Sequence, residues 1–343
     1  MRVLVAMSGG VDSSVAAALA LGAGHDVVGA TMKLWGGASD SGCCSVADVE
    51  DARRVADQLG ISHHVFNFSD DFQRRVVDPY VSDHAAGRTP NPCIECNRHL
   101  KFDRLLDRAG RLGFDAVATG HHARVVAEGG VWSLRRGADP AKDQSYVLHM
   151  LQAHQLPRVL LPVGSMTKAE VRSRAAALGL RTATKADSQD VCFISRKGGR
   201  ETFLGDRIPL RPAPVLDEAG RLLGTVPAVE LITVGQRRGL LPGIGERYVV
   251  AVDADEPAVR VGPLSDLLVG EVPVADPTWV DAPPVPDEHL EVQVSAHGTP
   301  VAARWDPAGR VVVATPIRRV APGQSVVLYR GDTVVGGGPA GPG

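Results

Sequence analysis

Apolar residues in the first 195 positions fall into two alternating patterns. Short unbroken runs, Val3 to Met7, Asp26 to Leu34, His64 to Phe68 and Asp115 to Thr119, have the length and β-branched content of strands. Between them lie stretches with helical spacing. Val15 to Leu21 is rich in Ala and Leu, and Gly22 and Gly24 can stop it. Ser45 to Leu59 places Val46, Val49, Ala52, Val55, Ala56 and Leu59 on one face. Asp71 to His84, the basic stretch Asn97 to Leu112, Gln144 to Leu151 and Lys168 to Leu178 complete the predicted helices. Runs with no polar alternation belong to strands covered on both faces. The pattern therefore predicts an α/β unit: a doubly wound parallel sheet with ligands at the carboxyl ends of its strands.

The pattern changes near residue 200. Of the 24 prolines, 18 lie beyond it, and short Val-rich runs take over at Arg247 to Val252, Leu290 to Val294, Arg310 to Ala314 and Ser325 to Tyr329. Separated by Gly and Pro turns, these predict small sandwich or barrel modules. Pro273 to Pro286 has linker character, with five Pro and two Asp. The chain thus divides into an N-terminal catalytic unit at 1–198, a small central mainly-β unit at 199–272 and a C-terminal β-barrel-like unit at 273–343. The formal net charge of −2 gives no global attraction to nucleic acid, so any such partner needs a local basic patch. Five cysteines over 343 residues do not suggest a disulfide scaffold and favour a reducing, cytoplasmic setting. Asp12 and the Gly-Gly pair break the apolar start, which argues against a signal peptide. No run of eighteen apolar residues is present to form a membrane span.

Chemistry first shows in the turn after Met7: Ser8, Gly9, Gly10, Val11, Asp12, Ser13, Ser14. A Gly-rich turn between a strand and a helix N-terminus presents free N–H groups and the positive end of the helix dipole, which suits a phosphate. The turn is not a Walker loop, because it holds no Lys. Asp12 beside a phosphate calls for an intervening cation, and Mg²⁺ is the expected one. An ordinary strand–turn–helix joint is the plain alternative. Residues 89–97, Thr-Pro-Asn-Pro-Cys-Ile-Glu-Cys-Asn, hold Cys93 and Cys96 at C-x-x-C spacing ahead of the basic helix, with Arg98 and Lys101 near to favour thiolate. Half a zinc site, a redox pair and sulfur chemistry all remain open on that spacing. Cys192 lies between apolar neighbours, where an inert core thiol is the commoner outcome. Cys43 and Cys44 lie in a Gly/Ser-rich loop with no defined role. Residues 119–124, Thr-Gly-His-His-Ala-Arg, end a strand; His121, His122 and Arg124 could meet phosphate or RNA there, or form only a solvated strand end. Lys142 to Tyr146 suits a helix cap with charge.

Taken in order, these pieces resemble one family. The segment 8–13 resembles the PP-loop of the N-type ATP pyrophosphatases. Together with 89–97, 119–124, Lys-Asp-Gln-Ser-Tyr at 142–146, Asp-Ser-x-x-Val-Cys-Phe-Ile at 187–194, Val-Gly-Gln-Arg-Arg-Gly-Leu at 234–240 and Ala-Pro-Gly-Gln-Ser-Val-Val-Leu-Tyr at 321–329, it resembles the bacterial tRNA-specific 2-thiouridylases over nearly the whole chain. The resemblance implies a Rossmann-like PP-loop domain and ATP-dependent 2-thiolation of the tRNA wobble uridine. It implies that Cys96 is the catalytic nucleophile and that Cys192 carries a persulfide. ATP would meet Ala6, Met7, Ser8, Gly9, Gly10, Val11, Asp12, Ser13, Met32 and Gly120. The target base would meet Asn91, Pro92 and Cys93, and the tRNA Lys142, Asp143 and Gln144. A sulfur carrier or cysteine desulfurase would supply the persulfide sulfur.

The chain departs from the family at two places. Cys93 stands where many members have Asp, so Cys93, Cys96 and Cys192 together could offer three thiolates to an iron–sulfur cluster. Ser295-Ala296-His297 follows a Val-rich strand where many members have an Arg-Tyr pair. The rival readings are a PP-loop enzyme adenylating a small molecule and a non-catalytic RNA-binding or sulfur-carrier protein.

Overall fold

The computed structural model describes residues 1–34, 45–187, 191–194, 198–243 and 245–342. Its first sheet is parallel, with strands β1 (Arg2–Ala6), β2 (Asp26–Lys33), β3 (Ser62–Asn67), β4 (Ala116–Ala118) and β7 (Val159–Leu160) in the order β3-β2-β1-β4-β7. β1 is central because both its faces are apolar. Val3 and Val5 pack under helices Val11–Gly22, Val46–Leu59 and Lys168–Ala177; Leu4 packs on the opposite side with Phe72, Leu100 and Leu105. Each such fully buried Val or Leu contributes about 1.5–3 kcal/mol. The register pairs Val3 with Val27 on one side and with Ala116 on the other. The chain leaves β1 in opposite directions to β2 and β4. The crevice between the C-terminal ends of β1 and β4 is therefore a topological switch point.

The helices follow the apolar spacing, with local refinements. Ser45 caps Val46–Leu59 by accepting from Asp48 N at 3.2 Å, and left-handed Gly60 ends that helix. The stretch predicted as helix from Asn97 starts earlier, at Pro92–Cys96, and continues through a π-helical segment, Asn97–Arg104, into Leu105–Arg111. The helix expected over Gln144 to Leu151 is only a 3₁₀ turn, Ser145–Leu148. Its apolar spacing reflects burial of Tyr146, Leu148, Met150 and Leu151 in one cluster, not a continuous helix.

Beyond residue 200 a four-stranded sheet contains Ala213–Leu216, Leu222–Val226, Tyr248–Asp253 and Ala258–Gly262. A larger antiparallel sheet follows, with strands Leu268–Pro273, Arg310–Arg318, Val301–Asp306, Leu290–Gln293, Ser325–Arg330 and Thr333–Pro339 neighbouring in that order. It is extended by a hairpin from the N-terminal half, β5 (Ala123–Glu128) and β6 (Val131–Arg136), where Arg135 pairs with Thr333. The hairpin is absent from the sequence reading. Its signal is the pair Gly129-Gly130, both at positive φ (57° and 82°), as a two-residue type I′ turn needs. The hairpin fastens the C-terminal sheet to the sheet that carries the glycine loop.

Candidate active site

A cleft of about 520 Å³ opens at the switch point. Its floor is the loop after β1. Gly10 precedes helix Val11–Gly22 with no side-chain cap, so the first-turn N–H groups face the cleft without a side-chain acceptor from that position. Ser13 Oγ donates to Gly10 O at 3.1 Å and accepts from Ser8 N at 3.2 Å, which fixes the turn. Ala6, Met7, Ser8, Gly10, Val11, Asp12, Ser13, Met32 and Gly120 all line the cleft. Gly9 does not appear in that lining. It has φ +72°, its carbonyl accepts from Lys185 Nζ at 2.9 Å, and a Cβ there would sit 2.3 Å from Asp48 O. Gly9 is needed for close packing beneath the loop. Gly120 serves close approach of a different kind, since its Cβ would lie 2.5 Å from Ser13 N. Gly120→Ala should therefore push the loop off its position, at a cost of about 1–3 kcal/mol that a lowered melting temperature would check.

The cation expected beside Asp12 is a lysine. Lys168 Nζ reaches both Asp12 oxygens, at 2.8 and 2.7 Å, and His122 Nε2 lies 3.2 Å away. Burial opposes ionisation of Asp12, but the bonds to His122 and Lys168 outweigh it and hold its carboxyl below the ordinary range. Lys168 thus occupies both oxygens of the carboxylate for which Mg²⁺ was expected. Among the described residues no group of three or more His, Cys, Asp and Glu could hold a metal ion, so the iron–sulfur ligand set Cys93, Cys96 and Cys192 is not assembled either. Each thiol is set by its own surroundings: Cys93 exposed, Cys96 buried, and Cys192 half-buried on another segment.

Lys168 also bonds Asp187 at 2.8 Å, and Asp187 takes Lys142 at 2.9 Å and Arg172 at 2.8 Å. Burial works against its charge, yet the bonds from Lys142 and Lys168 bring its pKa down to about 2. A carboxyl lowered from its ordinary value of about 3.9 stabilises the fold above that pH, and the contribution is lost as pH falls toward 2. Asp187→Asn should flatten that part of the profile, read as melting temperature between pH 5 and pH 2. Lys185 is held in the same manner by Asp48 at 2.7 Å and Asp51 at 2.8 Å. Lys168 was legible only as a helix start. The available signal was its place after Thr167 in a capping box with Glu170, because a Lys in a first helical turn opposes the dipole and calls for a local reason.

The cleft also carries sulfur. Cys93, Cys96 and Cys192 line the cleft together. Cys192 is not sealed in the core: Phe193 beside it is anchored by Phe72, Tyr80 and Phe203 at centroid distances of 5.6, 5.4 and 5.1 Å, which leaves Cys192 at the edge of that cluster. Cys96 belongs to the same cluster. Pro92 lines the cleft, whereas the Asn91 side chain caps the helix by accepting from Cys93 N at 3.1 Å. Lys142, Asp143 and Gln144 line it too, and each has an internal partner: Asp187 for Lys142, Arg136 at 3.1 Å for Asp143, and His122 N at 2.9 Å for Gln144. His121 is buried and held neutral, with its pKa pushed well below the ordinary value by burial and then by Lys101. Arg124 does not face the cleft chemistry; it ties β5 to Asp332 at 2.8 Å. Ala296 and His297, where the chain departs from the family pattern, close one side. Cys43 and Cys44 lie outside the described residues, as do Ser188 to Asp190.

A parallel sheet with an uncapped glycine loop at its switch point, in a cleft also lined by lysines and thiols, defines an α/β domain of the kind that takes its ligand at the carboxyl ends of its strands. The family model described as "tRNA methyl transferase HUP domain" matches residues 1–196, and "Aminomethyltransferase beta-barrel domain" matches residues 269–340. The tRNA-specific 2-thiouridylase MnmA of Chloroflexus aurantiacus is 50% identical over 98% of this chain and 97% of its own length; that of Sorangium cellulosum is 47% identical over 98% and 91%. The chain belongs to the tRNA-specific 2-thiouridylase family. Among solved structures, NMN synthetase from Francisella tularensis matches with a TM-score of 0.36 and 18% identity over 55% of this chain and 66% of that one, a likeness too distant to carry an argument. No helix among the described residues is long and apolar enough to cross a membrane.

Proposed function

We propose that this protein uses ATP to replace the C2 oxygen of the tRNA wobble uridine with sulfur. The observation that carries the reading is that Cys96 and Cys192, far apart in sequence, line one cleft with the glycine loop. The C2 oxygen is a poor leaving group. It attacks the α-phosphorus of ATP, pyrophosphate leaves, and the base becomes an O-adenylate. The terminal sulfur of a Cys192 persulfide then bonds to C2, and AMP departs with the former base oxygen. The sulfur now bridges C2 and Cys192. Cys96 thiolate attacks the Cys192 sulfur, the broken S–S pair passes to the transferred sulfur as the thiocarbonyl forms, and a Cys96–Cys192 disulfide remains. An external thiol reduces that disulfide, and a sulfur carrier or cysteine desulfurase reloads Cys192.

In this reading the N–H groups of the helix N-terminus and Lys168 meet the ATP phosphates. Mg²⁺ arrives with the nucleotide, bound mainly by phosphate oxygens and water. The chemistry belongs to 1–198, and the protein acts in the cytoplasm. Purified protein given ATP, Mg²⁺, a persulfide donor and unmodified tRNA should release pyrophosphate only with tRNA, and the digested tRNA should contain 2-thiouridine. Pyrophosphate without tRNA would point to a small-molecule acceptor, and ADP with phosphate would overturn the reading.

A further inference from the structure

We propose that Asn97 reads the edge of the target base, its Oδ1 accepting a hydrogen bond from the N3–H of uracil. The inference rests on the thiolation reading above and adds the group that selects the base. Asn97 follows Cys96 directly and opens the π-helical segment Asn97–Arg104, the kind of irregularity that re-aims side chains at functional sites. It is 2% exposed and lines the cleft with Cys96 and Cys192. Its Nδ2 donates to Val147 O at 3.0 Å, which fixes the amide so that Oδ1 is the remaining acceptor. Oδ1 is buried and has no hydrogen-bond partner among the described residues. A buried carbonyl oxygen left unpaired is unfavourable and calls for an explanation, and a ligand donor beside the reacting thiol supplies one. The anchor at Val147 ties Asn97 to the segment after Lys142 to Gln144, so the acceptor is held between two elements.

The chemistry needs such a reader. Cytosine also carries a C2 oxygen, so adenylation alone does not separate it from uracil. The two differ at N3, which is N–H in uracil and a bare lone pair in cytosine. Oδ1 meets a donor in the first case and an acceptor in the second. Sites built to hydrogen-bond a substrate discriminate strongly against partners that leave them unpaired. A base stacked in a helix would not reach this position, so the target must be splayed out of the anticodon loop.

The test compares tRNA carrying uridine, cytidine or 3-methyluridine at the target position, in the wild-type protein and in Asn97→Ala. Rates of pyrophosphate release and of sulfur incorporation are both measured. The wild type should fall by about 10³-fold or more on cytidine and by about 10²-fold on 3-methyluridine. Asn97→Ala should lose about 10- to 100-fold on uridine, and its preference for uridine over 3-methyluridine should shrink below about tenfold, because the acceptor is gone and space has opened. An unchanged preference in Asn97→Ala would overturn the assignment. If the variant does not fold, the wild type decides alone: equal rates on uridine and 3-methyluridine would overturn it, and the expected loss supports it. Absence of any wild-type thiolation of uridine would instead remove the function reading, and this inference with it.

Discussion

Cys192→Ser is expected to reduce 2-thiouridine formation by at least about 10³-fold, while tRNA-dependent pyrophosphate release continues for one turnover. The separation follows from the sequence of bonds. Adenylation uses the glycine loop, Lys168 and the base oxygen, and none of these needs the persulfide. Sulfur transfer needs Cys192 first and Cys96 second. Cys96→Ser should therefore stop at a different point, with the transferred sulfur still bridging C2 and Cys192. That species is a protein–tRNA adduct, visible on a non-reducing gel and released by added thiol; Cys192→Ser should give none. Because the two thiols act as one unit, the double variant should be no worse than the more damaging single one. Multiplicative losses would argue that the thiols do separate work.

Lys168→Met is expected to lower pyrophosphate release by about 10²- to 10³-fold, the scale of removing one preorganised charge from a transition state. Among the described residues four lysines line the cleft, Lys101, Lys142, Lys168 and Lys185, against Asp12, Asp48, Asp143 and Asp187, so their positive charge is largely matched before ATP arrives. Lys168 is the shared member, bonded to both Asp12 and Asp187. An incoming polyphosphate competes with those carboxylates for it. Without Lys168, two carboxylates face the phosphates with less compensation, and like charges repel. Asp12→Asn in the Lys168→Met background should then recover part of the ATP affinity, seen as a lower KM, but not kcat. Initial rates over a range of ATP concentrations for the four proteins of the cycle would show it.

Strands β1 to β4 of the first sheet were legible because β1 and its neighbours are apolar on both faces, and few other structures suit such runs; β7, two residues long, was too short to show. The glycine loop was legible because its chemistry is local, contained in a few consecutive residues. The β5–β6 hairpin was missed although its strands carry Val125, Val126, Val131, Trp132 and Leu134: the runs are short and interrupted by charge, and the sheet they join through Arg135 and Thr333 lies far along the chain. The short turn at Ser145–Leu148 was overextended because burial of Tyr146 and Leu151 mimics helical spacing. Within the site, the pairing of Asp12 with Lys168 joins residues 156 positions apart and has no signature in either stretch. The placement of Cys96 and Cys192 on one cleft likewise follows from tertiary packing around Phe193. Family resemblance supplied it in advance; spacing alone left a core thiol as the commoner outcome.

The central claim is that AMP is attached to the base oxygen and leaves with it. A tRNA with ¹⁸O at C2 of the target uridine tests this in a single turnover with ATP and persulfide-loaded protein. The mechanism predicts that the ¹⁸O lost from the base appears in the phosphate of AMP, one atom for each 2-thiouridine formed. Recovery of the label in water, with unlabelled AMP, would contradict it.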